Sequence, residues 1–161
     1  MTIKPLDILI YKGHWYNPIT GIIYTRTSTT YSHCALSVGR GRMIEAVAKG
    51  VVEVPIDAHG TRPYVIMRYK HEIHQEHIQA ATDWLYNQVE CSVGYDFFAL
   101  LGFLTGYRGF EEEDKFFCSE LVAYAFQAAK VDLWNEIPVF VYPSDFISHL
   151  AFEQIKDGET H

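Results

Sequence analysis

A chain of 161 residues, 48% hydrophobic and 15% aromatic, has the size and composition of one folded domain and excludes a wholly disordered chain. Its formal charge of −7, with Lys and Arg scattered and never in a run, excludes non-specific binding to nucleic acid or to an anionic membrane surface. Such acidity bears on solubility and names no substrate.

The first thirteen residues carry one lysine and a short apolar run broken by Asp7. That is too short to cross a membrane and has no small-residue cleavage site. We therefore expect a mature chain from Met1, cytoplasmic as synthesised and without an integral membrane segment. Leu6–Tyr11 reads as a β-strand and Ile22–Tyr24 as a shorter one. His33–Val38 follows a polar stretch, Gly39-Arg40-Gly41 is a tight turn, and Arg42–Val47 returns antiparallel to complete a hairpin. Val51–Pro55 and Tyr64–Tyr69 extend the sheet.

The period then changes. Ile73, His77, Ile78, Ala81, Trp84, Leu85 and Val89 recur at helical spacing between Glu72 and Val89. Tyr95–Leu104 reads as a second helix closed by Gly106, and a charged loop, Phe110–Lys115, leads to a third over about Cys118–Lys130. Val139–Tyr142 reads as a possible strand. Pro143-Ser144-Asp145 offers capping residues for a last short helix to about Phe152. Without repeats or linkers, the pattern predicts a single α+β domain over residues 1–161, an antiparallel sheet packed with helices.

Three cysteines at irregular spacing make neither a disulfide framework nor a paired-cysteine zinc site, so reactivity is the property to look for. Cys118 stands where a loop becomes a helix. Unpaired amides and the helix dipole at such a place favour a thiolate, and the same amides can bind an oxyanion. His33 opens an apolar strand, and Glu45 lies on the returning strand, opposite or diagonal to it across the hairpin. Nucleophile, base and orienter are the parts that thiol chemistry requires, although spacing alone does not bring Cys118 to the other two.

Several motifs recur in order along the chain: Pro5-Leu6-Asp7-Ile8-Leu9, Ser32-His33, Ile44-Glu45-Ala46 with Gly50-Val51 after it, Gly94-Tyr95-Asp96, Phe117–Val122 (Phe-Cys-Ser-Glu-Leu-Val) and Pro143-Ser144-Asp145-Phe146. In these the chain resembles the permuted branch of the NlpC-type papain-like cysteine peptidases. That branch includes the YiiX-like proteins and the lecithin:retinol acyltransferase-like enzymes. The cysteine motif is the specific element. Members usually carry Gly before the opening Asp, where this chain has Leu6. The resemblance implies a permuted papain-like fold, a histidine strand preceding the cysteine helix, and no cofactor or metal. It implies Cys118, His33 and Glu45 as catalytic residues, with Asp7, Ser32, Tyr95 and Asp96 as substrate-binding candidates. Tyr95 and Asp96 read equally well as a core position and a capping carboxylate.

Other features have plainer readings. His14 and Trp15 are a candidate lid over the site, with Trp15 also a substrate-binding candidate, or a surface loop. His71, His74 and His77 lack the His-Glu-x-x-His pattern, and on a helix the outer two stand ~120° apart, too far to share a metal. Cys34, next to His33, points to the other sheet face and reads as a buried structural thiol; Cys91 ends a helix and also reads as structural. The acids 111–114 read as a solvated loop that would disfavour anionic substrates if it rimmed the cleft.

The expected function is hydrolysis of an amide in a peptide or cell-wall peptide through a thioester. An alternative is acyl transfer or ester cleavage on a lipid, although Gln154–Glu159 is polar where such relatives carry an apolar anchor. A third is a binding module that has kept the fold. The expected partner is a peptide or acyl-group substrate, and no feature fixes an oligomeric state.

Overall fold

The computed structural model describes residues 2–13, 30–47, 50–92, 116–134 and 141–158. Among these residues six strands form one antiparallel sheet: β1 (Ile8–Lys12), β2 (Tyr31–Gly39), β3 (Arg42–Val47), β4 (Gly50–Pro55), β5 (Tyr64–Tyr69) and β6 (Phe152–Gly158). Their order is β4-β3-β2-β1-β5-β6. Among the described residues the helices are α1 (Gln75–Ser92), α2 (Phe116–Ala128) and α3 (Pro143–Ser148), so the chain is α+β as expected.

Side chains alternate across a strand, and partners in a ladder share a face. Ile8 pairs with Leu36 and Ile10 with Cys34, which puts all four on one side of the sheet. The helices pack on this side. α2 contributes Cys118, Leu121, Val122, Ala125 and Phe126, a stripe spaced three and four apart, while α1 adds Ala81 and Leu85 and α3 adds Phe146. The opposite face carries Leu9, Tyr11, Ala35 and Met43, covered by Ile3, Ile56 and Tyr64.

That second cover follows from topology. β4 ends beside Arg42, whereas β5 begins opposite Tyr11 at the other end of the sheet. Residues 56–63 must therefore cross β3, β2 and β1. Ile56 N–H donates to Gly41 O at the start of the crossing (3.0 Å), and Lys12 N–H donates to Pro63 O at its end (2.9 Å).

The hairpin turn holds φ at 84°, 53° and 72° in Gly39, Arg40 and Gly41, which only glycine adopts without cost at the outer two. Leu6 has φ 66° and is buried, so its backbone takes the conformation that glycine favours while its side chain fills the core.

Three expectations are corrected. The last helix ends at Ser148, and Phe152 instead opens β6, an edge strand paired with β5 that went unforeseen. Phe152 is drawn into the core against Tyr69, Phe126 and Phe146. The helix expected from Glu72 begins at Gln75, because the His74 carbonyl accepts from Ile78 N–H (3.1 Å) and caps the first turn. α2 starts and stops two residues earlier than Cys118–Lys130: Lys130 turns left-handed (φ 55°) and Val131 N–H returns to Phe126 O, closing the helix. The expected elements at 22–24, 95–104 and 110–115, and residues 139–140, lie outside the described residues; Val141 and Tyr142 are not in a strand.

Candidate active site

β2 and β3 pair from Gly39–Arg42 to Leu36–Ile44. β2 goes on pairing with β1 as far as Tyr31, and β3 with β4 as far as Val47. Among the described residues the ladder between β2 and β3 does not continue, so the two strands part in a fork. Ser37 makes both its backbone bonds toward β1, donating to Asp7 O (2.9 Å) and accepting from Leu6 N–H (2.8 Å). In an antiparallel ladder, even-numbered residues of β2 then direct their amides toward β3. The Cys34 N–H points into the fork, where it meets the sulfur of Cys118.

Cys118 is the third residue of α2, which packs on both β2 and β3. Its sulfur interacts with the imidazole of His33 and with the amide and thiol of Cys34. Consecutive strand residues face opposite ways, so one side chain reaches both only from the strand's edge, and the fork is that edge. Ser119 fixes the first turn of α2: its buried hydroxyl donates to Val141 O, directly before the Tyr142-Pro143 entry to α3. There Asp145 Oδ2 accepts from Tyr142 N–H at 2.8 Å, so the cysteine motif and the late Pro-x-Asp-Phe motif are one assembly.

Continued from Leu36–Ile44, the register sets Glu45 diagonal to His33 on the face of Leu9 and Tyr11. His33 Nε2 lies 2.5 Å from Glu45 Oε2, leaving Nδ1 for the thiol. A second imidazole shares that oxygen: His59 Nε2 lies 2.7 Å from Oε2. The rings of His33 and His59 meet edge-on (5.5 Å between centroids), and His59 packs edge-on against Tyr11 (4.6 Å). Arg62, at the end of the same crossing segment, donates from Nε to Lys12 O (2.6 Å) and lies over the Tyr11 ring.

The electrostatics separate the two thiols. Burial opposes ionisation of Glu45, but the hydrogen bonds from His33 and His59 outweigh it and hold the carboxyl at about 2. Burial likewise opposes protonation of His33, yet Cys118 and Glu45 together push it up to about 9. The hydrogen bond from the Cys34 thiol, with His33 beside it, holds Cys118 well below the ordinary thiol value against the cost of burial. Burial and the neighbouring Cys118 push Cys34 the other way. At neutral pH this describes a Cys118 thiolate against a His33 imidazolium, with Cys34 a protonated donor. Burial also raises Tyr11, whose hydroxyl donates to Met43 Sδ at 3.3 Å.

His33, Glu45 and His59 each offer one atom, all within 4.8 Å of one another, and two histidines with a glutamate are a catalytic zinc set. Tetrahedral ligands ~2.0–2.1 Å from zinc stand ~3.3 Å apart. The 2.5 and 2.7 Å separations here are those of charge-assisted hydrogen bonds, and the residues do not fit a metal in this arrangement.

The structure thus brings Cys118, His33 and Glu45 together. Asp7 is buried beside the start of β1, its carboxylate held by Arg68 (2.7 and 2.6 Å) and by Lys4 N–H (2.7 Å), an arrangement that braces the N-terminus. Ser32 is buried, its hydroxyl 3.4 Å from Arg62. His14, Trp15, Tyr95, Asp96 and the acids 111–114 lie outside the described residues. Cys34 is buried on the opposite face to His33 as expected, but it bonds the nucleophile candidate and is no bystander. Cys91, read as structural, is exposed at the end of α1. His59 and Arg62 were missed. A histidine and an arginine in a short link between β4 and β5 become significant only once the strand order makes that link cross the sheet.

No protein-family model matches the chain, and no curated protein is similar to it in sequence.

Proposed function

We propose that the chain is a cysteine-dependent amide hydrolase of permuted papain-like fold, with Cys118 as nucleophile at the N-terminus of α2, His33 as acid and base, and Glu45 as orienter. The observation that supports this reading most is the His33 ring, hydrogen-bonded to Glu45 through Nε2 and interacting with the Cys118 sulfur. The thiolate attacks the carbonyl carbon, and the oxyanion is met by backbone amides at the N-terminus of α2, that of Cys118 among them. His33 gives its Nδ1 proton to the leaving amine as the C–N bond breaks, leaving a thioester. It then takes a proton from water, which attacks the thioester and releases the acid and the thiolate. Resemblance favours peptides, including cell-wall peptides, as substrates.

Cys118 is fully buried, so local opening precedes any encounter with substrate. That burial also favours a second reading, a binding module in which the buried Cys34 and Cys118 side chains are structural. Incubation with peptide amides and with lipid esters, followed by acid quench and mass spectrometry, separates the two. The hydrolase carries an acyl adduct on Cys118 that is absent in His33→Ala. Lack of any adduct, with Cys118 titrating like an ordinary thiol, leaves the binding module.

A further inference from the structure

We propose that His59 is a positioning residue of this site, donating from Nε2 to Glu45 Oε2 and so keeping that oxygen on His33 while the His33 ring gains and loses its proton. The inference rests on the hydrolase reading of Cys118 and His33. A carboxylate oxygen has two acceptor directions. Those of Oε2 are taken by two imidazoles, at 2.5 and 2.7 Å. Among the described residues Oε1 accepts no hydrogen bond, and the Glu45 side chain is only 4% exposed. Among the described residues the two histidines therefore decide which oxygen faces the base. With His33 as the sole partner, the carboxylate is free to rotate whenever that ring turns neutral and the ion pair weakens.

His59 is itself held on a rigid support. Gly60 N–H donates to Asp57 O (2.9 Å) and Arg62 N–H to His59 O (3.2 Å), closing a tight turn around it. The ring leans edge-on against Tyr11, and Arg62 ties the turn to Lys12 O. Among the described residues the other titratable and charged groups around the cluster are Cys118 from α2, Cys34 from β2, Tyr11 from β1, Tyr64 from β5 and Arg62 from the crossing segment. All remain in a His59 variant.

The test compares the parent with His33→Ala, His59→Phe, His59→Ala and His59→Gln, each checked for folding by thermal melting. Two quantities are read: the pH profile of Cys118 alkylation by iodoacetamide, resolved by mass spectrometry, and the proton resonance of His33 Nε2–H. Removing the donor, in His59→Phe and His59→Ala, is expected to slow alkylation at low pH by between about tenfold and a hundredfold. It should also weaken the downfield shift of the His33 proton. His59→Gln, which returns an N–H toward Glu45, should recover most of both. Parent-like profiles in the Phe and Ala variants, with the parent's low-pH reactivity still dependent on His33, overturn the role of His59 alone. So does a folded Gln variant no better than Phe. An ordinary thiol profile in the parent removes the hydrolase reading and this inference with it.

Discussion

Replacing His33 by Ala removes the cation beside Cys118 and one of the two donors on Glu45. The rise of the His33 ring from 6.5 to about 9 is worth about 3 kcal/mol, a factor of about 300, in favour of the protonated form. The ring is 14% exposed, so solvent screening takes little of this. Cys34 still donates to the sulfur in the variant, and burial still disfavours a charge there. We therefore expect the thiolate fraction of Cys118 near pH 6 to fall by up to about 300-fold, toward the ~0.3% of an ordinary thiol. The ultraviolet absorbance of the thiolate, titrated in a Cys91→Ser background, reads this without requiring a reagent to reach the buried sulfur. Cys34→Ala should raise the Cys118 midpoint as well, because the thiol that donates to it is lost. The sign for stability is independent of the assay. A folded value above the unfolded one stabilises the protein fully below 6.5, and that contribution disappears as the pH rises through about 9. A Cys118 titration that is identical in the parent and in His33→Ala would refute the reasoning, because the ion pair would then have no energetic consequence.

Glu45, held at about 2 against its usual 4.5, contributes stability above pH 4.5 that is lost as the pH falls toward 2. Urea midpoints of Glu45→Gln should accordingly vary less than the parent's across that window, and an equal slope would count against the paired carboxylate. Arg68→Gln strips the buried Asp7 carboxylate of its ion pair and should cost about 3 kcal/mol in urea denaturation while leaving the Cys118 titration unchanged. A cost below about 1 kcal/mol would show that Asp7 is solvated some other way. Leu6→Gly relieves ~1–2 kcal/mol of left-handed backbone strain but empties a buried leucine site worth ~3–5 kcal/mol, so net destabilisation of about 1–4 kcal/mol is expected. A stabilised variant would mean that strain, not packing, dominates at that turn.

Elements that bury one face announce themselves by period. Arg42–Val47 and Tyr64–Tyr69 match β3 and β5 end to end, and the stripe at Cys118, Leu121, Val122 and Ala125 marks the helix that carries the thiol. β6 was illegible because, after Phe152, its side chains Glu153 and Gln154 are exposed, and an edge strand needs no inward alternation. Its identity comes from pairing with β5, a non-local fact. The hairpin spacing was enough to put His33 near Glu45. Nothing local could show that Cys118 enters a fork between β2 and β3, since that depends on where a ladder stops. His59 is the sharper case: flanked by Asp57, Ala58 and Gly60, it reads as turn filler, and only the strand order β4-β3-β2-β1-β5 sends that turn across the Glu45 face.

The fork has a consequence for the tolerance of β2 to change. Two neighbours, His33 and Cys34, serve one sulfur from opposite sides of the same strand, so the pairing frame of β2 is constrained twice over. A one-residue slip exchanges the faces of every side chain on a strand. Here it would bury an imidazole among Ile8, Ile10 and Leu36 and set a thiol beside Tyr11. An insertion or deletion within 31–36 would thus ruin the packing and the chemistry in one stroke, whereas added residues at the Gly39–Gly41 turn would leave both frames intact.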